Sequence, residues 1–212
     1  MGATKITIVR HGETKWNVAM KLQGHQDSAL TKNGIRQAEQ VSHALKDRRF
    51  DVIYSSDLNR ALKTAQTINT HFNLEIKSDP NLRERAFGVM EGLTREEIAE
   101  KYPDLFHIYM HRNSIEPVPG GESLIEFSER VIKAIETIVS VNSEKEILVV
   151  AHGGVLDCII RKIFNMQPHE RRSFTLQNSS INKISIENGK WILQEWGNID
   201  HLNSNSVLNE IN

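Results

Sequence analysis

An α/β fold is predicted: a three-layer αβα sandwich with a mainly parallel central sheet, a C-terminal β-hairpin and a small helical lid insertion. Three observations predict it. Strand-like and helix-like segments alternate from residue 5 to residue 76, the rhythm of a parallel sheet covered on both faces. Two β-rich runs, Ile6-Thr-Ile-Val-Arg10 and Glu146-Ile-Leu-Val-Val-Ala151, each end in a His-Gly pair. Near the end, Asn188-Gly189 separates two strand-like runs, a hairpin signal.

The elements follow in order. Residues 5–10 form the first strand, rich in β-branched side chains and broken at Gly12. Thr14 to Met20 suits a short helix, and residues 21–30 a polar loop of the kind that carries binding groups. Thr31 is an N-cap, and Ile35, Ala38, Val41 and Leu45 recur at helical spacing over 32–48. Residues 51–55 read as the second strand. Asp57 is the expected cap of the next helix, and 74–76 a short third strand. Residues 80–120 break the rhythm. They hold a capping box at Thr94–Glu97, an interruption at Pro103, a short helix over 105–112 and a Pro-Gly-Gly loop, and read as a lid over the sheet's carboxyl edge. A second capping box, Ser123–Glu126, starts a long helix to about Val141. The strand 146–151 is the most apolar and is expected at the centre, followed by a helix from Val155 to about Phe164. The hairpin pairs 180–186 with 191–196. One domain therefore covers 1–197, and the Asn- and Ser-rich residues 198–212 are expected to fray.

Composition narrows the function. At 212 residues the chain can bury a full core. Its net charge of −1, from 26 basic and 27 acidic residues, argues against a nucleic-acid partner. No apolar run reaches the length of a membrane span, and no signal-peptide pattern opens the chain. Cys158 is the single cysteine, which fits a reducing, cytoplasmic setting.

The chemistry concentrates at the strand ends. Neighbouring parallel strands lie about 5 Å apart, so His11 and His152 can share one ligand if their strands are adjacent. In open α/β sheets that edge faces the ligand crevice. Arg10 precedes His11 and can help hold a phosphoryl group that His11 attacks. Arg60 falls in a first helical turn, where a cation opposes the macrodipole unless an anion sits nearby. Glu84, within Arg83-Glu-Arg85, is a candidate proton donor. A leaving alkoxide needs a proton, and like-charge repulsion from a phosphate dianion favours the acid form of a carboxyl.

Five blocks together carry a family resemblance. They are Arg10-His-Gly-Glu13, Ser55-Ser-Asp-Leu-x-Arg60-Ala61, Leu82-x-Glu84, Pro119-Gly-Gly-Glu-Ser123 and Ala151-His-Gly-Gly154. In this order, over about residues 5–196, they resemble the histidine phosphatase superfamily, the phosphoglycerate-mutase-like group, in its broad-specificity phosphatase branch. The resemblance implies that His11 is a nucleophile that becomes phosphohistidine. It implies that Arg10, Arg60 and His152 hold the phosphoryl oxygens, and that Glu84 is general acid and then base. Asn17, Gln23, Gly24 and Gly153 match positions that contact phosphate or substrate in relatives. No cofactor or metal is called for, because Arg10, Arg60 and a protonated His152 can supply the positive charge.

Such a site can hydrolyse a phosphate ester or, as in cofactor-dependent phosphoglycerate mutases, move the group to a second hydroxyl. Those mutases continue with His-Tyr-Gly after Glu-Arg, where this chain has Ala86-Phe87-Gly88. Their later paired arginines lack a counterpart, since Arg112 stands alone. A short lid with Phe87, Met90, Phe106, Tyr109 and Met110 favours a phosphatase of small phosphorylated metabolites. His107 and His111, at i and i+4, could bind zinc but show no third ligand. Relatives include monomers and dimers, so a homodimer is one expectation.

Overall fold

The computed structural model describes residues 2–112 and 115–202. Six strands form one sheet: β1 (Thr4–Arg10), β2 (Val52–Ser55), β3 (Ile76–Ser78), β4 (Glu146–Ala151), β5 (Ile181–Glu187) and β6 (Lys190–Asn198). Their spatial order is β3-β2-β4-β1-β5-β6. The first four run parallel, and the hairpin β5–β6 adds antiparallel beside β1. Asn188 and Gly189 both take positive φ, 49° and 77°, as the tight hairpin turn requires. β4 and β1 are the inner pair, with Arg10 in register with Ala151.

Strand side chains alternate between two cores, as a period of two dictates. Ile6, Ile8, Val52, Tyr54, Ile147 and Val149 face one core with α6 (Leu124–Ser140) and α7 (Gly153–Phe164). Val9, Ile53, Leu148 and Val150 face the other, with α2 (Lys32–Leu45) and α3 (Asn59–Ile68). These are the three expected layers. The topology also places the site. The helix that follows β1 and its short α1 (Lys15–Val18) lies on one face, and the helix that follows β4 lies on the other. The chain therefore diverges to both sides between two adjacent parallel strands, and a crevice opens at their carboxyl ends.

Residues 80–120 build a small apolar cluster of their own. Met90, Ile98 and Val118 are its buried centre, packed by Leu22, Phe87, Leu93, Tyr102, Leu105, Phe106 and Tyr109. Its helices are α4 (Arg95–Lys101) and α5 (Pro103–Met110).

Several boundaries differ from expectation. Asp57 does not cap α3: the N-cap is Leu58 without a side-chain bond, and Asp57 binds Arg83 instead. The third strand starts two residues late, because Leu74 packs into the second core before pairing begins. Pro103 opens α5 rather than merely interrupting, since its missing N–H and fixed φ suit a first helical position. The hairpin runs on to Asn198, and Leu202 beyond it is buried, so residues 198–202 are held. Residues 203–212 of the expected tail lie outside the described residues.

Candidate active site

His11 follows β1 directly, and its N–H continues the ladder to Ala151 O at 2.9 Å. Its Nδ1 lies 2.8 Å from the Gly12 carbonyl. A carbonyl accepts only, so Nδ1 carries the proton and Nε2 keeps its lone pair. The side chain is buried, 2% exposed. Burial, then the fields of Arg60 and Arg10, lower its pKa well below the usual histidine value, against a smaller opposing effect of the Gly12 bond. The ring is therefore neutral at neutral pH, with a lone pair on Nε2.

His152 follows β4 in the same register, and the two imidazoles stand 5.2 Å apart between ring centres. Ser56, at the end of β2, lies 2.8 Å from His152 Nε2. Ser56 Oγ already accepts from Leu58 N at 3.3 Å. With the Ser56 hydroxyl as donor to Nε2, the ring proton sits on Nδ1. That Nδ1 is buried with no protein partner among the described residues. Burial first, then Arg60 and His11, lower the His152 pKa well below its ordinary value. The field of two guanidinium groups in the same low-dielectric space opposes the expected imidazolium.

Arg60 is the second residue of α3 and is 1% exposed. Nη2 donates to Gly24 O at 2.7 Å, and Nη1 to Gln26 O at 2.8 Å and to Asp27 at 3.2 Å. The anion that the helix start calls for is a protein carboxylate. Asp27 accepts from Asn59 N at 2.5 Å and Arg60 N at 3.4 Å, so it caps α3 from outside the helix. Arg60 Nε is buried and, like His152 Nδ1, lacks a protein partner among the described residues. Arg10 is buried beside the site, and its Nη1 donates to Leu176 O.

Glu84 faces the amino end of α7. Oε2 accepts from Gly154 N at 3.0 Å and Oε1 from Arg85 N at 2.8 Å. Both flanking arginines are engaged elsewhere: Arg83 forks onto Asp57 at 2.7 and 2.5 Å, and Arg85 Nε donates to Glu122 O at 2.9 Å. The Arg83 bonds lower the Asp57 pKa. A Cβ at position 154 would lie 2.0 Å from Glu84 Oε1 and 2.9 Å from the Phe127 ring, so a larger residue there would displace the Glu84 carboxylate. Behind this loop, Arg130 forks onto Glu122 at 2.7 and 2.8 Å and donates to the carbonyls of Asn81, Arg83 and Glu84.

Of the remaining expected contacts, Asn17 and Gln23 meet at Thr14. Asn17 Oδ1 accepts from Thr14 N at 3.0 Å, and Thr14 Oγ1 donates to Gln23 Oε1 at 3.0 Å. Gly24 supplies its carbonyl to Arg60, and Gly153 opens α7 beside His152. Glu91 joins the polar loop to the lid: Oε1 accepts from His25 N and Phe87 N, and Oε2 from Gln26 N. Sequence reasoning missed Asp27, Glu91, Arg130 and Gly154. Only the Gly-Gly after His152 hinted at the last. Arg112 meets Asp157 at 3.2 Å, alongside Arg161 at 2.9 Å, and so ties the end of α5 to α7. His107 and His111 stack at 3.9 Å, with His111 Nδ1 2.9 Å from the His107 carbonyl. Among the described residues no three His, Cys, Asp or Glu side chains gather as a metal site.

Known proteins carry the same chain pattern. The chain is 37% identical over 208 residues to a metal-independent phosphoserine phosphatase of Arabidopsis thaliana, covering 97% of this chain and 86% of that one. It is 36% identical over 208 residues to phosphoglycerate mutase-like protein 4 of the same plant, covering 96% and 89%. A crystal structure of a mutant phosphoserine phosphatase from Entamoeba histolytica, in complex with phosphoserine, superposes with a TM-score of 0.81 at 33% identity. That match covers 94% of this chain and 99% of the other. The sequence model of the histidine phosphatase superfamily, branch 1, matches residues 6–199. With that match spanning the sheet, both strand-end histidines and the lid, the chain belongs to the histidine phosphatase superfamily.

Proposed function

We propose that this chain hydrolyses small phosphomonoesters through a phosphohistidine on His11, without a metal. One observation carries the reading: a buried neutral imidazole with Nε2 free stands 5.2 Å from a second imidazole and beside two buried guanidinium groups. Buried polar atoms are nearly always bonded. The unpartnered Arg60 Nε and His152 Nδ1 are donors that phosphoryl oxygens would satisfy.

In the first step His11 Nε2 attacks phosphorus, the phosphorus–oxygen ester bond breaks, and Glu84 in its acid form gives its proton to the leaving oxygen. In the second, the Glu84 carboxylate takes a proton from water as its oxygen attacks phosphorus. The phosphorus–nitrogen bond breaks, and inorganic phosphate and neutral His11 result. The guanidinium groups offset charge on the equatorial oxygens.

Residues 1–197 act as one catalytic domain, with 80–120 as the lid that selects the substrate. Phe87 and Tyr109 pack edge to face at 5.9 Å, and Arg85 lies 5.5 Å over the Phe87 ring. This lid supports hydrolysis over mutase activity, which needs a second anchored phosphate. The names of the relatives make phosphoserine the first metabolite to try. The His11, His152, Arg10, Arg60 and Glu84 side chains all come from one chain, and activity is expected to persist on dilution of any homodimer. Among the described residues no helix is long and apolar enough to cross a membrane. The lone buried Cys158 fits a cytoplasmic setting.

The test is phosphate release from an aryl phosphate and from phosphoserine, beside isomerisation of 3-phosphoglycerate primed with its bisphosphate. Hydrolysis that survives chelators and disappears in His11→Ala is expected. Efficient isomerisation with negligible phosphate release would reverse the assignment.

A further inference from the structure

We propose that Asn178 is a positioning residue that sets both the nucleophile and Asn17. The inference rests on the phosphohistidine reading of the site. Asn178 lies 167 residues from His11, in the turn that precedes β5, and is buried. Its Nδ2 donates to the His11 carbonyl at 3.0 Å and reaches Asn17 Oδ1 at 3.4 Å. One amide thus touches the backbone of the nucleophile and the side chain of a residue expected at the phosphate.

The surrounding backbone is shaped for this contact. Ser179 adopts a left-handed φ of 58°, uncommon for a residue with a Cβ. In that conformation its N–H donates to the carbonyls of Arg10 at 3.1 Å and His11 at 3.3 Å. The His11 carbonyl therefore receives two donors from one turn. On the other side, Gly12 N is held by Thr64 Oγ1 at 3.1 Å. The peptide between His11 and Gly12 is clamped at both ends, and the carbonyl of the next peptide, Gly12 O, is the acceptor that fixes the His11 tautomer. Rotation of this peptide would swing the imidazole away from in-line attack.

The second contact orients Asn17. Its Oδ1 already accepts from Thr14 N, and Asn178 adds a second N–H on the same oxygen. With the oxygen end held by donors, the amide's NH2 end is the one left to meet a phosphoryl oxygen. Sequence periodicity could not show this, because Gln177-Asn-Ser-Ser180 reads as an ordinary polar turn.

The experiment compares Asn178→Ala, Asn178→Ser, Asn17→Ala and the Asn17→Ala/Asn178→Ala pair, using aryl phosphate turnover, thermal midpoints, and inhibition by orthovanadate and by inorganic phosphate. Misplacement of a nucleophile by about 1 Å can cost roughly a hundredfold. Asn178→Ala should lower kcat roughly ten- to a hundredfold with KM changed little, and weaken vanadate more than phosphate. Asn178→Ser should recover part of the loss, and the double variant should be about as slow as the slower single one. Near-wild-type turnover in Asn178→Ala overturns the proposal, as do losses that multiply in the double variant. Unfolding of both position-178 variants makes Asn178 a folding residue and also overturns it. Absence of wild-type turnover refutes the phosphatase reading, whereas wild-type turnover with an unaffected Asn178→Ala refutes this inference alone.

Discussion

A histidine buried beside two guanidinium groups stays neutral at pH values where an exposed one takes a proton. His11 and His152 both have lowered pKa values, with burial as the first cause. The folded state therefore binds fewer protons than the unfolded state just below the ordinary histidine pKa of about 6.5. Stability is full above that pH and falls as pH drops through it towards the lower folded values. Thermal midpoints measured from pH 8 to pH 5 should decline below about 6.5, and the decline should flatten in a His11→Gln/His152→Gln variant. An equally steep decline in that variant would assign the pH dependence to other groups. At the same scale, Glu84→Gln keeps a hydrogen-bonding amide but cannot transfer a proton. It should slow turnover by roughly 10²–10⁴-fold, least for substrates with good leaving groups, as a series of aryl phosphates would show.

The elements meet at caps, and those caps carry the site. Asp27 closes the amino end of α3 and pairs with Arg60, so one carboxylate supports a helix and aims a cation. Asp27→Ala should cost about 1 kcal/mol of stability, the usual value of a lost cap. It should also raise KM for an aryl phosphate, because Arg60 loses a partner that fixes its rotamer. Asp27→Asn should restore most of the stability but less of the affinity, since it keeps an acceptor and drops the charge. At the start of α7, Gly154→Ala would drive a methyl into Glu84 and against Phe127. A large fall in kcat is expected there. These caps were half legible. Thr31, Thr94 and Ser123 cap as their spacing foretold. Asp57 did not, because a bidentate Arg83 outcompetes a single backbone N–H for its carboxylate.

Across the whole molecule, the C-terminal segment closes the back of the site. His201 Nε2 lies 3.0 Å from the Ser179 carbonyl, and Ser179 N donates to Arg10 and His11. Leu202 is buried beside it. A chain ending at residue 202 should keep its activity, whereas one ending at residue 197 should lose both activity and about 1–3 kcal/mol of stability. Denaturant titrations of the two truncations, with turnover measured in parallel, check this. Equal stability would mean that the segment only rests on the surface.

Local pattern fixed the order of elements, the alternation of apolar faces, the two strand-end histidines and the five motif blocks, because each is a matter of neighbours a few residues apart. The tertiary structure alone decided which partner each charged group takes. It chose Asp27 for the start of α3, Arg83 for Asp57, Gly154 for Glu84, Asn178 for the His11 carbonyl and Ser56 for His152. Those choices depend on distances between residues far apart in the chain and on the low dielectric of a closed crevice. Neither quantity exists until the sheet has formed and the helices have packed on both of its faces.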